Sequence, residues 1–91
     1  MNKIAIIGTG YVGLVTGLGF AKLGHRIHFV DTDKAKISKL KKQELPFFEP
    51  GLIEILTDTE VSSRVTYSSS YTDELNEVDL AFVRVQTPAV D

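Results

Sequence analysis

Residues 4–17 read IAIIGTGYVGLVTG. Four apolar residues run into a cluster of glycines, and a second apolar stretch follows. An unbroken apolar run of this kind suits a parallel strand buried on both faces, so a strand is expected over Lys3 to Ile7, apolar throughout after Lys3. A helix is expected over Tyr11 to Leu23, with Val12, Val15, Leu18 (or Gly19), Ala21 and Leu23 at loosely helical spacing and Gly24 as its C-cap. The glycines therefore stand where a strand hands over to a helix.

Outward from that junction, Arg26 to Val30 reads as a second strand ended by Asp31. Asp33 is placed to cap a helix over Lys34 to about Lys42, with Ile37 and Leu40 inward and the lysines on the wet side. Gln43 to Gly51 carries Pro46 and Pro50 and reads as a loop, with Pro50 in the first turn of a helix from Leu52 to about Thr57. Arg64 to Tyr67 is a weak strand and Ser68 to Ser70 a turn. Ser70 caps a short helix ending near Glu77, and Leu80 to Val85 is the last strand, stopped by Thr87-Pro88. Strands alternating with helices argue for right-handed parallel βαβ units. The expected fold is α/β, a Rossmann-like doubly wound parallel sheet, partial, with about four strands and helices on both faces.

The chain has 91 residues, room for one small domain. Its formal net charge of -2 argues against non-specific binding to nucleic acid or anionic membrane. Cysteine is absent, which excludes disulfides, thiolate metal sites and a cysteine nucleophile within these residues. No apolar run reaches the roughly 18 residues of a membrane span. Met1-Asn2-Lys3 leads straight into the strand with no leader-like pattern. A cytoplasmic protein is the expectation.

Gly8, Gly10 and Gly13 fit G-x-G-x-x-G. That pattern alone is weak. Here a strand precedes it, a helix follows it, and Asp31 ends the next strand at close to the roughly 20-residue spacing expected of a dinucleotide site. Gly8 allows the tight turn, Gly10 lets a pyrophosphate approach bare backbone, and Gly13 lets the helix pack on the sheet. Gly17, one turn on, extends that contact. The helix N-terminus faces the phosphates. The alternative is a glycine turn that serves packing only. Asp31 can accept from ribose hydroxyls and would repel a 2′-phosphate, which favours NAD over NADP; alternatively it caps the following turn.

The wording GTGYVGLVTG, and later PFFEPGL, resembles the N-terminal, NAD-binding part of the UDP-glucose/GDP-mannose dehydrogenase family. The resemblance runs across all 91 residues and includes Val30-Asp31, Lys36, Glu49-Pro50-Gly51-Leu52 and Thr87-Pro88. It implies oxidation of the primary alcohol of a sugar nucleotide to a carboxylate with two NAD in succession. It implies an N-terminal NAD domain, a connecting helix and a C-terminal sugar-nucleotide domain. The nucleophilic cysteine and its supporting lysine would lie well beyond this chain, leaving no catalytic residue within it. Val12, Asp31, Lys36 and Thr87 occupy NAD-contacting positions by resemblance, beside the glycine loop with Thr9 and Tyr11.

From the residues themselves, Lys36 could reach the adenosine ribose or phosphate as a point charge, or be a solvated helix lysine. Thr87 ends a strand on the ligand side of such sheets and could bond the cofactor or the turn before Pro88. Tyr11 is a pocket wall or a surface ring, counted as a neighbour through its backbone. Glu49-Pro50-Gly51-Leu52 reads as a helix start. His25 is expected exposed and His28 packed under a helix, both structural. Arg84 and Gln86 depart from the small residues usual in the family; a charge in a buried strand needs a partner.

The whole chain, 1–91, is therefore expected to be the N-terminal portion of an NAD-binding Rossmann domain, with the remainder of the enzyme absent and an open sheet edge that favours homo-oligomers. NAD is the expected partner, and a nucleotide sugar only in a full-length enzyme. Two other readings stand beside it: a stand-alone nucleotide-binding or interaction module, and a 6-phosphogluconate or hydroxyacyl-CoA type of dehydrogenase, against which PFFEPGL argues.

Overall fold

The computed structural model describes residues 2–47 and 49–70, with the backbone alone of 80–83. The elements are β1 (Lys3–Ile7), α1 (Tyr11–Lys22), β2 (Arg26–Val30), α2 (Lys34–Lys41), α3 (Leu52–Thr57), α4 (Thr59–Ser62), β3 (Val65–Ser68) and β4 (Leu80–Val83). The strands form one sheet in the order β3-β2-β1-β4. All three pairings are parallel, with Ile6 opposite both Phe29 and Phe82, and Phe29 opposite Tyr67. This is the partial Rossmann-like α/β fold expected. The chain steps from β1 to β2 to β3 in one direction and returns to the far side of β1, so order reverses between β1 and β4. Open α/β sheets bind ligands outside the strand C-termini at such a reversal.

Ile4, Ala5 and Ile6 are all buried, as a strand covered on both faces requires. Alternate strand residues share a face, and Ile4, Ile6, Ile27, Phe29 and Val65 build one core with Leu14, Leu18, Leu40, Leu52, Leu56 and Val61. All four described helices contribute to it; the helix expected over Ser70 to Glu77 lies outside the described residues. Burying each of those leucines stabilises the fold by about 1.5–3 kcal/mol. Arg64 donates to the Ala21 carbonyl at 3.1 Å, tying the approach to β3 to the last turn of α1.

The inner face of α1 differs from the expected stripe. Gly13, Leu14, Gly17, Leu18 and Ala21 are buried, whereas Val12 is 48% and Leu23 71% exposed, and Val15 is exposed too. The helix is apolar nearly all round, so spacing alone gave it no direction. The small residues face inward because α1 lies too close to the sheet for anything larger. A Cβ at Gly17 would overlap the tip of the Phe29 ring. That ring is fully buried and stacked on Tyr67 with centroids 5.5 Å apart. Burial pushes the Tyr67 hydroxyl up to about 12.

Other boundaries moved slightly. α1 ends one residue early, with Leu23 as C-cap. Gly24 follows at φ 109, donating to the Ala21 carbonyl. β3 spans Val65–Ser68 rather than starting at Arg64. Pro50 lies before the first turn of α3, whose N-cap is Gly51. The short α4 was not expected; Asp58 caps it by accepting from Glu60 and Val61. His25 is half-buried rather than exposed, since its ring sits edge-on to Phe20 at 5.8 Å and its Nδ1 accepts from Asn2. His28 is 6% exposed, with its nitrogens 2.5 and 3.1 Å from the Thr66 and Ser68 hydroxyls.

Gly17→Ala is expected to lower stability by about 1–2 kcal/mol, because overpacking a filled core outweighs alanine's helix preference of about 1 kcal/mol. Adding Phe29→Leu should recover part of that loss in urea unfolding, whereas the two effects would simply add if the ring were not the obstacle.

Candidate functional site

Gly8 leaves β1 at φ 100, a conformation only glycine adopts cheaply. Its N–H donates to the Val30 carbonyl at 2.7 Å, so the ends of β1 and β2 are joined. Thr9 then turns inward and is 0% exposed. Its N–H and its hydroxyl both donate to Oδ2 of Asp31, at 2.8 and 2.6 Å. The other oxygen, Oδ1, accepts from the Asp33 N–H at 2.9 Å. Asp31 thus links the β1–α1 turn to the β2–α2 turn.

Two opposing effects set the charge on Asp31. Burial, the largest single influence, pushes its carboxyl up; the Thr9 hydroxyl, the Asp33 and Thr9 amides and the Lys36 ammonium pull it down and together prevail. The carboxyl therefore lies below its ordinary value of 3.8 and is ionised at neutral pH. Half-buried Lys36 sits in the first turn of α2, and Asp33 caps that helix by accepting from Ala35 and Lys36.

α1 begins differently. Its N-cap, Gly10, has extended backbone and no side chain to accept from the first turn, and that turn holds no acid. α2 and α4 have aspartate caps, and α3, whose Gly51 cap likewise lacks a side chain, has Glu54 in its first turn. An anion fits the start of α1, where amide donors and the helix dipole lack a side-chain acceptor. Gly13 keeps that start tight against the turn, because a Cβ there would overlap the Gly8 carbonyl oxygen.

Tyr11 and Val12, the first helical residues, are exposed. The Tyr11 ring lies 5.4 Å from Phe47. Its hydroxyl bonds to Glu49, and that bond and the carboxylate's charge raise it above 10.0. Glu49, read from sequence as part of a helix start, thus reaches the beginning of α1. An aromatic at the first helical position, with no core to enter, was the available signal. The site joins Gly8, Thr9, Gly10, Gly13, Asp31 and Lys36, with Tyr11 and Val12 at its rim. Thr87, Arg84 and Gln86 lie outside the described residues. Among the described residues, no group of three or more His, Asp or Glu could hold a metal, and no helix is long and apolar enough to cross a membrane.

Residues 2–91 match the model of the UDP-glucose/GDP-mannose dehydrogenase family, NAD binding domain. The chain belongs to that family. Its NAD binding domain is 41% identical over 86 residues to Bacillus subtilis UDP-glucose 6-dehydrogenase YwqF, covering 94% of this chain and 20% of that enzyme. Against the Rickettsia conorii UDP-glucose 6-dehydrogenase the identity is 44% over 87 residues, covering 96% and 20%. Among solved structures, a UDP-glucose dehydrogenase from Pyrobaculum islandicum superposes with a TM-score of 0.85 at 33% identity, over 93% of this chain and 20% of that one. A ternary complex of GDP-mannose dehydrogenase from Pseudomonas aeruginosa gives 0.84 at 30% identity, with the same coverage. The chain spans about a fifth of the length of these relatives.

The depressed Asp31 carboxyl predicts a pH dependence. Its folded value lies below the unfolded one, so its contribution to stability is complete above 3.8 and is lost as pH falls through the folded value. Urea unfolding should find Asp31→Asn less stable than the parent at neutral pH, with the difference shrinking as the pH falls below 3.8.

Proposed function

We propose that this chain is the NAD-holding segment of a cytoplasmic nucleotide-sugar dehydrogenase, one that oxidises the primary alcohol of a UDP-glucose or GDP-mannose type of substrate to a carboxylate with two NAD. The observation that carries this reading is the uncapped start of α1 beside an ionised, doubly held Asp31 at the reversal of strand order. The names of the relatives support the substrate class.

In this reading the amides at the start of α1 hold the pyrophosphate, with Gly10 and Gly13 leaving room for it. Asp31 accepts from the adenosine ribose and repels a 2′-phosphate, and Lys36 stands beside the same ribose. Tyr11 and Val12 stand beside the pyrophosphate, and Thr87, which follows β4 in the sequence, is a further NAD contact of this reading. When bound, NAD supplies the hydride acceptor; this segment contributes orientation rather than chemistry. With no cysteine in its 91 residues, the chain supplies no thiol nucleophile and by itself turns over no substrate.

Calorimetric titration with NAD and NADP tests this. The parent should bind NAD more tightly than NADP, and Asp31→Ala should lose about tenfold in NAD affinity while narrowing the gap. NAD binding undiminished in the variant would remove Asp31 from the site. UDP-glucose or GDP-mannose added to the NAD-loaded chain should yield no NADH.

A further inference from the structure

Resting on the reading of Asp31 as ribose acceptor, we infer that Thr9 is a positioning residue: its hydroxyl locks the Asp31 carboxylate so that only Oδ1 is offered to the ribose, and so sets the discrimination between NAD and NADP. A carboxylate has about four acceptor sites, two on each oxygen. The Thr9 N–H at 2.8 Å and hydroxyl at 2.6 Å occupy Oδ2. The Asp33 N–H at 2.9 Å takes one site on Oδ1. A single acceptor site remains, on Oδ1.

The Thr9 side chain is fully buried, so no bulk water competes for its proton. Three donors, the Thr9 hydroxyl the closest of them, hold the carboxylate against turning about its Cβ–Cγ bond, a torsion that is otherwise broad. A 2′-hydroxyl, which donates, meets a fixed acceptor. A 2′-phosphate meets a fixed negative charge that cannot swing away. Without the hydroxyl the carboxylate keeps one amide donor on each oxygen but loses its shortest bond and turns more easily, so NAD loses a preorganised partner and NADP loses part of an obstacle. A residue that merely filled space would do neither, and valine has threonine's shape.

The test compares the 91-residue parent with Thr9→Val, Thr9→Ser and Asp31→Ala in calorimetric titrations with NAD and NADP, after circular dichroism has established folding. Thr9→Val should raise the NAD Kd about tenfold with little or no rise for NADP, and Thr9→Ser should restore the parent's ratio. A folded Thr9→Val that keeps the parent's NAD-to-NADP ratio overturns the inference, while weakened NAD binding in Asp31→Ala leaves the ribose reading standing. A parent that binds neither dinucleotide overturns both. If Thr9→Val fails to fold, NMR of the parent decides: the Thr9 hydroxyl proton should be protected from exchange and remain so at saturating NAD, and its release on NAD binding overturns the inference.

Discussion

The structure depends on how closely α1 approaches the sheet. Two missing side chains permit it: at Gly13 the helix meets the Gly8 carbonyl, and at Gly17 it meets the Phe29 ring. This proximity puts the first turn of α1 directly over the end of β1, where the order of strands reverses. It also buries Leu14 and Leu18 completely beside Ile6 and Phe29. Core and candidate site therefore share one cause. A larger residue at either glycine would lift the helix, loosen the packing and move the amides that give the site its positive end.

Charge at the site follows from a contest that the donors win. Taking a carboxylate partly out of water favours its neutral form. Three hydrogen bonds and a nearby ammonium reverse that for Asp31. Two of the three bonds come from Thr9, inside the glycine turn. The turn proposed to admit a pyrophosphate thus also holds the acid proposed to meet the ribose. Elsewhere, Asp33 and Asp58 spend their carboxylates on helix caps. The same residue type does different work according to what its neighbours donate.

Much of this was legible in the residues. β1 and β2 lie where apolar runs placed them, Asp33 caps α2, and Ile37 and Leu40 face inward. Those features rest on local spacing and backbone freedom. The inner face of α1 was not legible, because a helix apolar on most sides has no preferred direction until a neighbour arrives. Pro50 was misplaced by one step because Gly51, at φ 87, takes the cap itself. The four-residue α4 carries too short a pattern to announce itself. The bond between Tyr11 and Glu49 joins segments that no local rule relates.

By itself the sequence determined the order of strand, glycine turn, helix and terminal acid, because each depends on residues within a few positions of one another. It equally determined that Asp33 could cap α2. Only the tertiary structure decided that valines at 12 and 15 face outward, and that Thr9 buries its hydroxyl against a carboxylate 22 residues away. Those outcomes depend on distances between segments, which the chain acquires only when the sheet assembles and the helix settles against it.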